Sequence, residues 1–262
     1  MTIDFDARYS SAYGRTTVRR DVLMAGLLWL ALTLVVEGLV ATWDFQPLIA
    51  AEEGRVVDGA FRILFLLAIP VLTFVLAALI YSVLRFRRRG GQSEDGPPIR
   101  SSGRVLGAWF LATSALTILV IVFPGTTGLL ELRGHAREEA DLVVQVEGIR
   151  WAWKMTYPQQ GVTSYSELVL PVGQRVRFEV TSVDVIHAFW VPAFRMKVDA
   201  VPGRVTTIHA TPNRPGSFHG DSGFRLQCAE LCGIGHPVMM VPVRVVEPAE
   251  FEAWVAQQVP GS

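Results

Sequence analysis

The sequence predicts three transmembrane helices followed by an all-β sandwich, and three observations predict this fold class. Half of the 262 residues are hydrophobic, and the long apolar runs all lie within residues 1–124. From residue 141 onward, short β-rich runs alternate with turn-forming proline and glycine residues, as is typical of an all-β domain. The two cysteines, Cys228 and Cys232, stand close together near the end of that domain. Two cysteines in so long a chain do not make a disulfide framework, so we expect them to share one local role.

Three segments are long enough to cross a bilayer, which takes about 20 helical residues. They cover residues 22–43, 61–86 and 105–124. Pro70 falls inside the second segment, but packed membrane helices tolerate proline. The first segment has an alternative interpretation as a signal sequence. Its long preceding arm, the interrupting Glu37 and the lack of a small-residue cleavage site favour a retained helix.

The distribution of arginine sets the expected orientation, because basic segments stay on the cytoplasmic side of a membrane. The N-terminal arm (residues 1–21) and the loop 87–104 are rich in arginine, whereas residues 44–60 are mainly acidic. We therefore expect a multi-pass protein of a bacterial plasma membrane, in contact with lipid, with the arm and the loop 87–104 in the cytoplasm. Everything after residue 124 should lie on the outer side. The formal net charge is zero, which gives no bulk electrostatic case for binding nucleic acid.

The predicted outer domain spans residues 135–247. Its β-rich runs are separated by turn signals at residues 171–173, 202–203 and 214–216, and this spacing predicts an antiparallel sandwich or barrel. The last segment, residues 248–262, places Phe251, Trp254 and Val255 at helical spacing. It is expected to form a short amphipathic helix that packs on the domain or on the membrane surface.

The segment from Cys228 to Met239 is the part of the chain richest in metal-binding side chains. It also contains Cys232 and His236, and soft sulfur ligands with imidazole select copper, zinc or iron–sulfur chemistry. A structural zinc site would need a second ligand pair, and an iron–sulfur cluster would need four cysteines or a Rieske set with two histidines. A thioether favours copper. The second cysteine, beyond the single one of blue-copper sites, lets two sulfur atoms bridge two copper ions.

A dinuclear copper centre needs one imidazole for each metal ion, so a histidine beyond His236 is required. His187 follows a β-rich run and precedes a turn, and we expect it to supply that imidazole. The expected weak axial ligands are Met239 and the backbone carbonyl of Glu230. The alternative at this point is a disulfide between the two cysteines, because the domain is expected in an oxidising compartment. That alternative leaves the histidines and Met239 without a role.

Four segments of the outer domain resemble subunit II of cytochrome c oxidase. The Cys228–Met239 loop matches the Cu-A loop of that family at every ligand position, and residues 184–192 resemble the segment that carries the first histidine. Residues 197–204 resemble a turn that lies against the catalytic subunit. Residues 151–157 are similar to the aromatic segment beside the copper. The resemblance extends over residues 61–258.

The resemblance implies a cupredoxin-like Greek-key sandwich that carries a dinuclear Cu-A centre. The ligand set that it implies is His187, Cys228, Glu230, Cys232, His236 and Met239. It also implies that cytochrome c or a similar donor delivers electrons at Trp151, and that they pass through Cu-A to haem in subunit I. There oxygen is reduced to water and protons are translocated. The Glu230 carboxylate would help to hold a magnesium ion shared with subunit I, and further membrane subunits would complete the complex.

Three features depart from the family pattern. The span at residues 22–43 is extra, and Leu106 stands where the family usually has a glutamate that feeds a proton path. The surface around Trp151 also lacks a dense acidic patch that would steer a basic cytochrome c. Leu106 leaves room for the alternative that the chain is the Cu-A subunit of a nitric oxide reductase. A third hypothesis is a membrane copper carrier with no electron-transfer role, a class that uses open, exposed sites.

Overall fold

The computed structural model describes residues 15–42, 48–87 and 102–258. The chain forms two compact units, one built from residues up to 45 with residues 62–117, and the other from residues 46–61 with residues 118 onward. Residues 1–14 of the expected cytoplasmic arm (1–21), residues 88–101 of the loop 87–104 and the end of the tail lie outside the described residues, whereas residues 15–21 are helical. Their location therefore stays a prediction.

Three helical stretches of the described chain are long and apolar enough to cross a membrane. The first two are helices α1 (Arg15–Thr42) and α2 (Glu52–Arg85), and the third starts as helix α3 (Gly103–Val120). Helix α2 starts well before the apolar run expected at residue 61, because the acidic side chains of its first turn complement the helix dipole. The loop expected over residues 44–60 is therefore helical from Glu52 onward.

The third stretch changes direction where its apolar run ends. Phe123 leaves the helical conformation, with φ −140° and ψ 121°, immediately before Pro124. A residue that precedes proline favours extended backbone, so this break follows from the local sequence. A short helix, α4 (Thr127–His135), then leads into the outer domain.

Helices α1 and α2 are joined by polar contacts within the first unit. The Trp29 indole donates a hydrogen bond to the Pro70 carbonyl at 2.8 Å, and the hydroxyls of Thr33 and Thr73 lie 2.7 Å apart. Hydrogen bonds of this kind stabilise helix pairs in lipid by roughly 0.6–2 kcal/mol each. The extra helix therefore packs on α2 through specific polar contacts, and its retention stays a prediction.

The outer domain is a two-sheet sandwich, as the sequence predicts. Its strands are β1 (Leu142–Ile149), β2 (Ala152–Tyr157), β3 (Val162–Ser164), β4 (Leu168–Pro171), β5 (Val176–Ser182), β6 (His187–Val191), β7 (Met196–Ala200), β8 (Thr206–Ala210), β9 (Gly216–Ser217), β10 (Arg225–Cys228) and β11 (Met240–Val246). One sheet has the order β3-β2-β1-β5-β8. The other has the order β4-β11-β10-β6-β7, with β9 also paired to β11.

The prediction of a purely antiparallel sandwich is wrong for two strand pairs. Strands β1 and β5 are parallel neighbours, and so are β4 and β11. In the first pair, the chain makes the β2–β3 hairpin and crosses to the other sheet as β4 before it returns as β5. It therefore re-enters beside β1 in the same direction. Such long-range pairing leaves no signal in local turn spacing.

Alternation along the strands fills the space between the two sheets. Val144, Val146, Phe178 and Val180 are fully buried, whereas their chain neighbours are partly or fully exposed. The C-terminal helix α5 (Pro248–Gln258) covers one end of this core. Its Trp254 packs edge-on against Tyr157, with ring centroids 5.3 Å apart, so the helix packs on the domain.

The first turns of α2 belong to the outer unit and are fixed to it by buried charges. Glu53 accepts hydrogen bonds from the backbone and hydroxyl of Thr211 at 2.8 and 3.0 Å. Asp58 forms an ion pair with Arg195 at 3.2 Å, and each side chain is only 8% exposed. Arg195 stands just after the turn Pro192–Phe194 that ends β6. The start of α2 thus holds the segment that leaves β6.

We predict that Asp58→Asn destabilises the outer unit by about 3 kcal/mol, because it removes the negative charge of a buried ion pair with Arg195. Thermal unfolding of the purified chain in detergent, followed by tryptophan fluorescence, measures the effect. The double variant Asp58→Asn with Arg195→Gln is the control, and it should recover part of the loss. A single variant that unfolds together with the unsubstituted chain would contradict this role.

Candidate metal centre

Two strands of one sheet and the loop after them bring the predicted ligands together. His187 begins β6 and Cys228 ends β10, and these strands are antiparallel neighbours, with Cys228 opposite Phe189. The loop from Ala229 to Met239 then returns to β11. Its two ends are closed by a hydrogen bond from the Cys228 backbone to the Met239 carbonyl at 3.0 Å. Because β6, β10 and β11 are paired, the start of β6, the end of β10 and the end of the loop before β11 lie close together.

The two cysteine side chains face each other as free thiols. Their sulfur atoms lie 3.8 Å apart, far beyond the 2.03–2.05 Å of a disulfide bond. Both are buried, with Cys228 4% and Cys232 6% exposed. The structure therefore contains two free thiols at this position instead of the alternative disulfide. A pair of thiols at this separation can offer both sulfur atoms to the same metal ions.

The remaining predicted ligands divide evenly between the two sulfur atoms. The Cys228 sulfur lies 3.8 Å from Nδ1 of His187 and 3.1 Å from the backbone oxygen of Glu230. The Cys232 sulfur lies 3.7 Å from Nδ1 of His236 and 3.8 Å from the Met239 sulfur. Each thiol thus has one imidazole and one weak donor beside it. The site has two similar halves that share a pair of sulfur atoms.

The chemistry of this donor set fits copper. Thiolate, thioether and imidazole ligands together favour copper over hard cations such as magnesium or calcium. Burial, followed by the neighbouring Cys228 thiol, raises the pKa of Cys232 to about 11. The thiol is therefore protonated at neutral pH in the absence of metal, and a metal that binds the thiolate must release its proton.

Among the described residues, only His187, Cys228 and Cys232 form a compact group of three or more histidine, cysteine or acidic ligands.

Asp184 fixes the orientation of the first histidine. Its Oδ1 lies 3.0 Å from Nε2 of His187, which leaves Nδ1 directed at the Cys228 sulfur. Its Oδ2 accepts hydrogen bonds from the backbone and the guanidinium of Arg150 at 2.9 and 3.1 Å. Burial alone would raise the pKa of Asp184, but these hydrogen bonds outweigh it and hold that pKa far below its ordinary value. An ionised carboxylate that orients a metal-binding histidine is a common arrangement.

Gly148 is a second residue that the sequence reasoning missed. A Cβ atom at this position of β1 would lie 2.7 Å from Cδ2 of the His187 ring, closer than real side chains allow. The glycine therefore creates the space that the fully buried imidazole occupies. Glycine within a strand often marks the close approach of another group, and this was the available signal.

Trp151 lies flat against the metal-binding loop. Its indole Nε1 donates a hydrogen bond to the Cys232 carbonyl at 3.3 Å, and the side chain remains 39% exposed. A Cβ atom on Gly235 would lie 2.3 Å from the indole, so only glycine permits this contact. Trp153, by contrast, is fully buried and packs edge-on against His187, with ring centroids 6.0 Å apart. Of the two tryptophans, only Trp151 is both exposed to solvent and in contact with the loop.

The other residues singled out from the sequence lie outside this cluster. The carboxylate of Glu230 is exposed, so only its backbone oxygen belongs to the site. His219 is exposed, whereas His135 and His209 line a separate cavity with Glu53. The predicted turn near the catalytic subunit follows β7, where Gly203 has a φ of +74°.

We predict that Gly148→Ala lowers the affinity of the chain for copper by about tenfold to a hundredfold, because the new methyl group displaces a ligand ring from its position. Equilibrium competition with a copper chelator measures the affinity. Gly220→Ala is the matched control, since a Cβ atom there would meet its nearest neighbour at an ordinary 3.6 Å. Equal affinities in the two variants would remove Gly148 from the support of His187.

Comparisons with known proteins match this chain to one family. The family model described as cytochrome C oxidase subunit II, periplasmic domain, matches residues 160–246. A protein of Thermostichus vulcanus named cytochrome c oxidase subunit 2 is 29% identical over 289 residues, which cover 88% of this chain and 85% of that protein. A probable cytochrome c oxidase subunit 2 of Rickettsia bellii is 30% identical over 211 residues, which cover 72% of this chain and 74% of that protein.

The solved periplasmic domain of cytochrome oxidase subunit II from Bradyrhizobium japonicum is 36% identical, with a TM-score of 0.43, and covers 46% of this chain and 95% of that domain. The relative from Rickettsia bellii is similar over most of both chains. Together with the match of the family model to the domain that holds the cysteine loop, this similarity identifies the family. The chain belongs to the cytochrome c oxidase subunit II family and is a subunit of a haem–copper oxidase.

Proposed function

We propose that the outer domain holds a dinuclear Cu-A centre and that the chain accepts electrons for a proton-translocating terminal oxidase. The observation that carries the proposal is the division of the ligands. Each of the two facing thiols has its own imidazole and its own weak donor within 3.1–3.8 Å. A site for one metal ion would not need two such halves. The ligands are His187, Cys228, the Glu230 carbonyl, Cys232, His236 and Met239.

Two copper ions bridged by thiolates would share one electron, so that bond lengths change little on reduction. The protein contributes rigidity to this chemistry. His187 is held between the Asp184 carboxylate and the Gly148 backbone. A backbone hydrogen bond holds Met239 beside Cys228. Ligands that are fixed by strands and by supporting hydrogen bonds cannot relax far when the charge of the site changes. A small relaxation favours fast electron transfer at a small driving force.

Burial supports electron transfer over copper delivery. His187 is 0% exposed and Met239 is 1% exposed, and the two thiols are nearly as buried. A carrier must pass its metal to another protein, which requires ligands that the partner can reach. The indole of Trp151 is instead the exposed group beside the site. We therefore assign Trp151 as the residue at which electrons reach the chain.

We predict that Trp151→Ala slows electron uptake from reduced cytochrome c by more than about tenfold and leaves the copper content unchanged. The indole touches the loop through one carbonyl hydrogen bond and provides no ligand atom, so its loss should not release metal. Stopped-flow oxidation of the donor and metal analysis of the same sample provide the two readouts. Trp190→Phe is the control, because Trp190 lies on β6 outside the loop. Normal uptake in Trp151→Ala would remove this residue from the route.

Several parts of the proposal concern groups outside this chain. The exposed Glu230 carboxylate would help to hold a magnesium ion shared with subunit I, and haem in that subunit would receive the electrons. The donor is cytochrome c or a similar protein on the outer side of the membrane. The arginine-rich arm and loop would lie in the cytoplasm. These assignments rest on the resemblance to the family and on the distribution of charge.

The second candidate function is the Cu-A subunit of a nitric oxide reductase. It keeps every copper assignment and changes the catalytic partner. Leu106, near the start of α3, favours it, because a leucine cannot take part in the family's usual proton path. An oxidase that contains this chain would have to take up protons by another route.

The deciding experiment measures substrate consumption by the complex purified through a tag on this chain. Reduced cytochrome c is supplied first with oxygen and then with nitric oxide. Rapid oxygen uptake is expected for a terminal oxidase. Slow oxygen uptake with fast loss of nitric oxide would contradict the oxidase assignment and support the reductase.

A further inference from the structure

The surface around the Trp151 indole is apolar. Ile234, which lies between the two glycines that contact the indole, is 91% exposed. Val238 in the next turn is 73% exposed, and Ile186, two residues beyond Asp184, is 48% exposed. The hydrogen bonds between Asp184 and Arg150 bring this last segment beside the residue that precedes Trp151. We call Trp151, Ile186, Ile234 and Val238 the indole patch.

Large apolar side chains at this level of exposure are unfavourable in water unless another surface covers them. Single exposed apolar residues are common, but a group of them around a functional residue marks an interaction site. Glu230 is the single lysine, arginine, aspartate or glutamate of the loop Ala229–Met239, so the loop provides an almost uncharged rim. The composition of the indole patch thus resembles the core of a protein interface.

Four charged groups on the segments that flank the indole patch form two ion pairs. Glu147 and Lys154 form an ion pair at 2.7 Å, on the two strands that flank Trp151. Arg150 is paired with Asp184 at 3.1 Å, and Asp184 also contacts His187. Opposite charges that are this close cancel each other at the distance of an approaching protein. The face therefore has little field with which to steer a strongly basic donor.

We infer that the electron donor of this chain docks on the indole patch through an apolar, nearly uncharged face around its own redox centre. The inference rests on the proposed function, since it assumes that Trp151 receives the electrons. It goes beyond that function by specifying the partner's surface. Desolvation of the two apolar faces would stabilise the complex, and shape would set the orientation of the donor. Association would then depend weakly on ionic strength.

The first test is the salt dependence of electron uptake by the purified complex, with a basic mitochondrial-type cytochrome c as the probe. Between about 20 and 200 mM ionic strength, the second-order rate constant should change by less than about twofold, whereas steered association falls steeply. Glu147→Gln should leave the rate constant unchanged. A steep fall with salt, or a clear loss in Glu147→Gln, would overturn the inference in favour of acidic steering.

The second test substitutes the indole patch. Ile234→Ser should lower the second-order rate constant by about fivefold to tenfold at every ionic strength, because it truncates an apolar contact. Ile234→Leu is the matched control and should retain the rate of the unsubstituted chain. The copper content should be the same in both variants, since the side chain points into solvent. An unchanged rate in Ile234→Ser would overturn the inference.

A small reductant separates this inference from the proposed function. Tetramethyl-p-phenylenediamine with ascorbate reduces the complex without a docked protein, so all variants should then consume the electron acceptor at the same rate. If the complex consumes neither oxygen nor nitric oxide with this reductant, the proposed function fails. If consumption is normal with the small reductant and Ile234→Ser is slowed only with cytochrome c, the docking inference is supported.

Discussion

The close approach of two buried thiols is the constraint on which the outer domain depends. Their sulfur atoms lie 3.8 Å apart because Cys228 is fixed at the end of β10 and the loop returns Cys232 over it. Two buried thiols that lie this close without a bond between them can bind the same ligand through both sulfur atoms. The surrounding sandwich supplies what such a ligand would need, namely an imidazole and a weak donor on each side. The fold therefore brings together the ligand atoms that the proposed pair of copper ions would need.

The site is asymmetric with respect to solvent, and the asymmetry is consistent with its proposed role. The two thiols, His187 and Met239 are buried, whereas the indole that touches the loop is partly exposed and lies near exposed apolar side chains. Glycines at two positions make this possible. Gly148 leaves space for the His187 ring, and Gly235 leaves space for the Trp151 indole. Buried ligands keep the metal, and an exposed aromatic group lets a partner approach without reaching the metal itself.

Much of the site could be predicted because its ligands are close in sequence. The spacing from Cys228 to Met239 encodes one loop, and a loop brings its own residues together whatever the fold. His187 could be predicted from chemistry, since a second imidazole was required, but it was expected to follow a β-rich run and precede a turn, whereas it begins β6. Of the two groups that support His187, Asp184 stands only three residues before it in the sequence, and its role was missed although the contact is local. Gly148 meets the ring because β1 and β5 are parallel neighbours, a long-range pairing for which a glycine within a strand was the local signal. The early start of α2 was missed for a similar reason, because its first turns are stabilised by Thr211 and Arg195.

The most direct measurement of the central claim is the number of copper ions per chain together with the electron paramagnetic resonance spectrum of the oxidised protein. Two copper ions per chain, with one unpaired electron spread over both, are the expected result, because the two thiols each have a complete half-site. One copper ion per chain with the spectrum of an isolated copper site would contradict the assignment of both cysteines as bridging ligands.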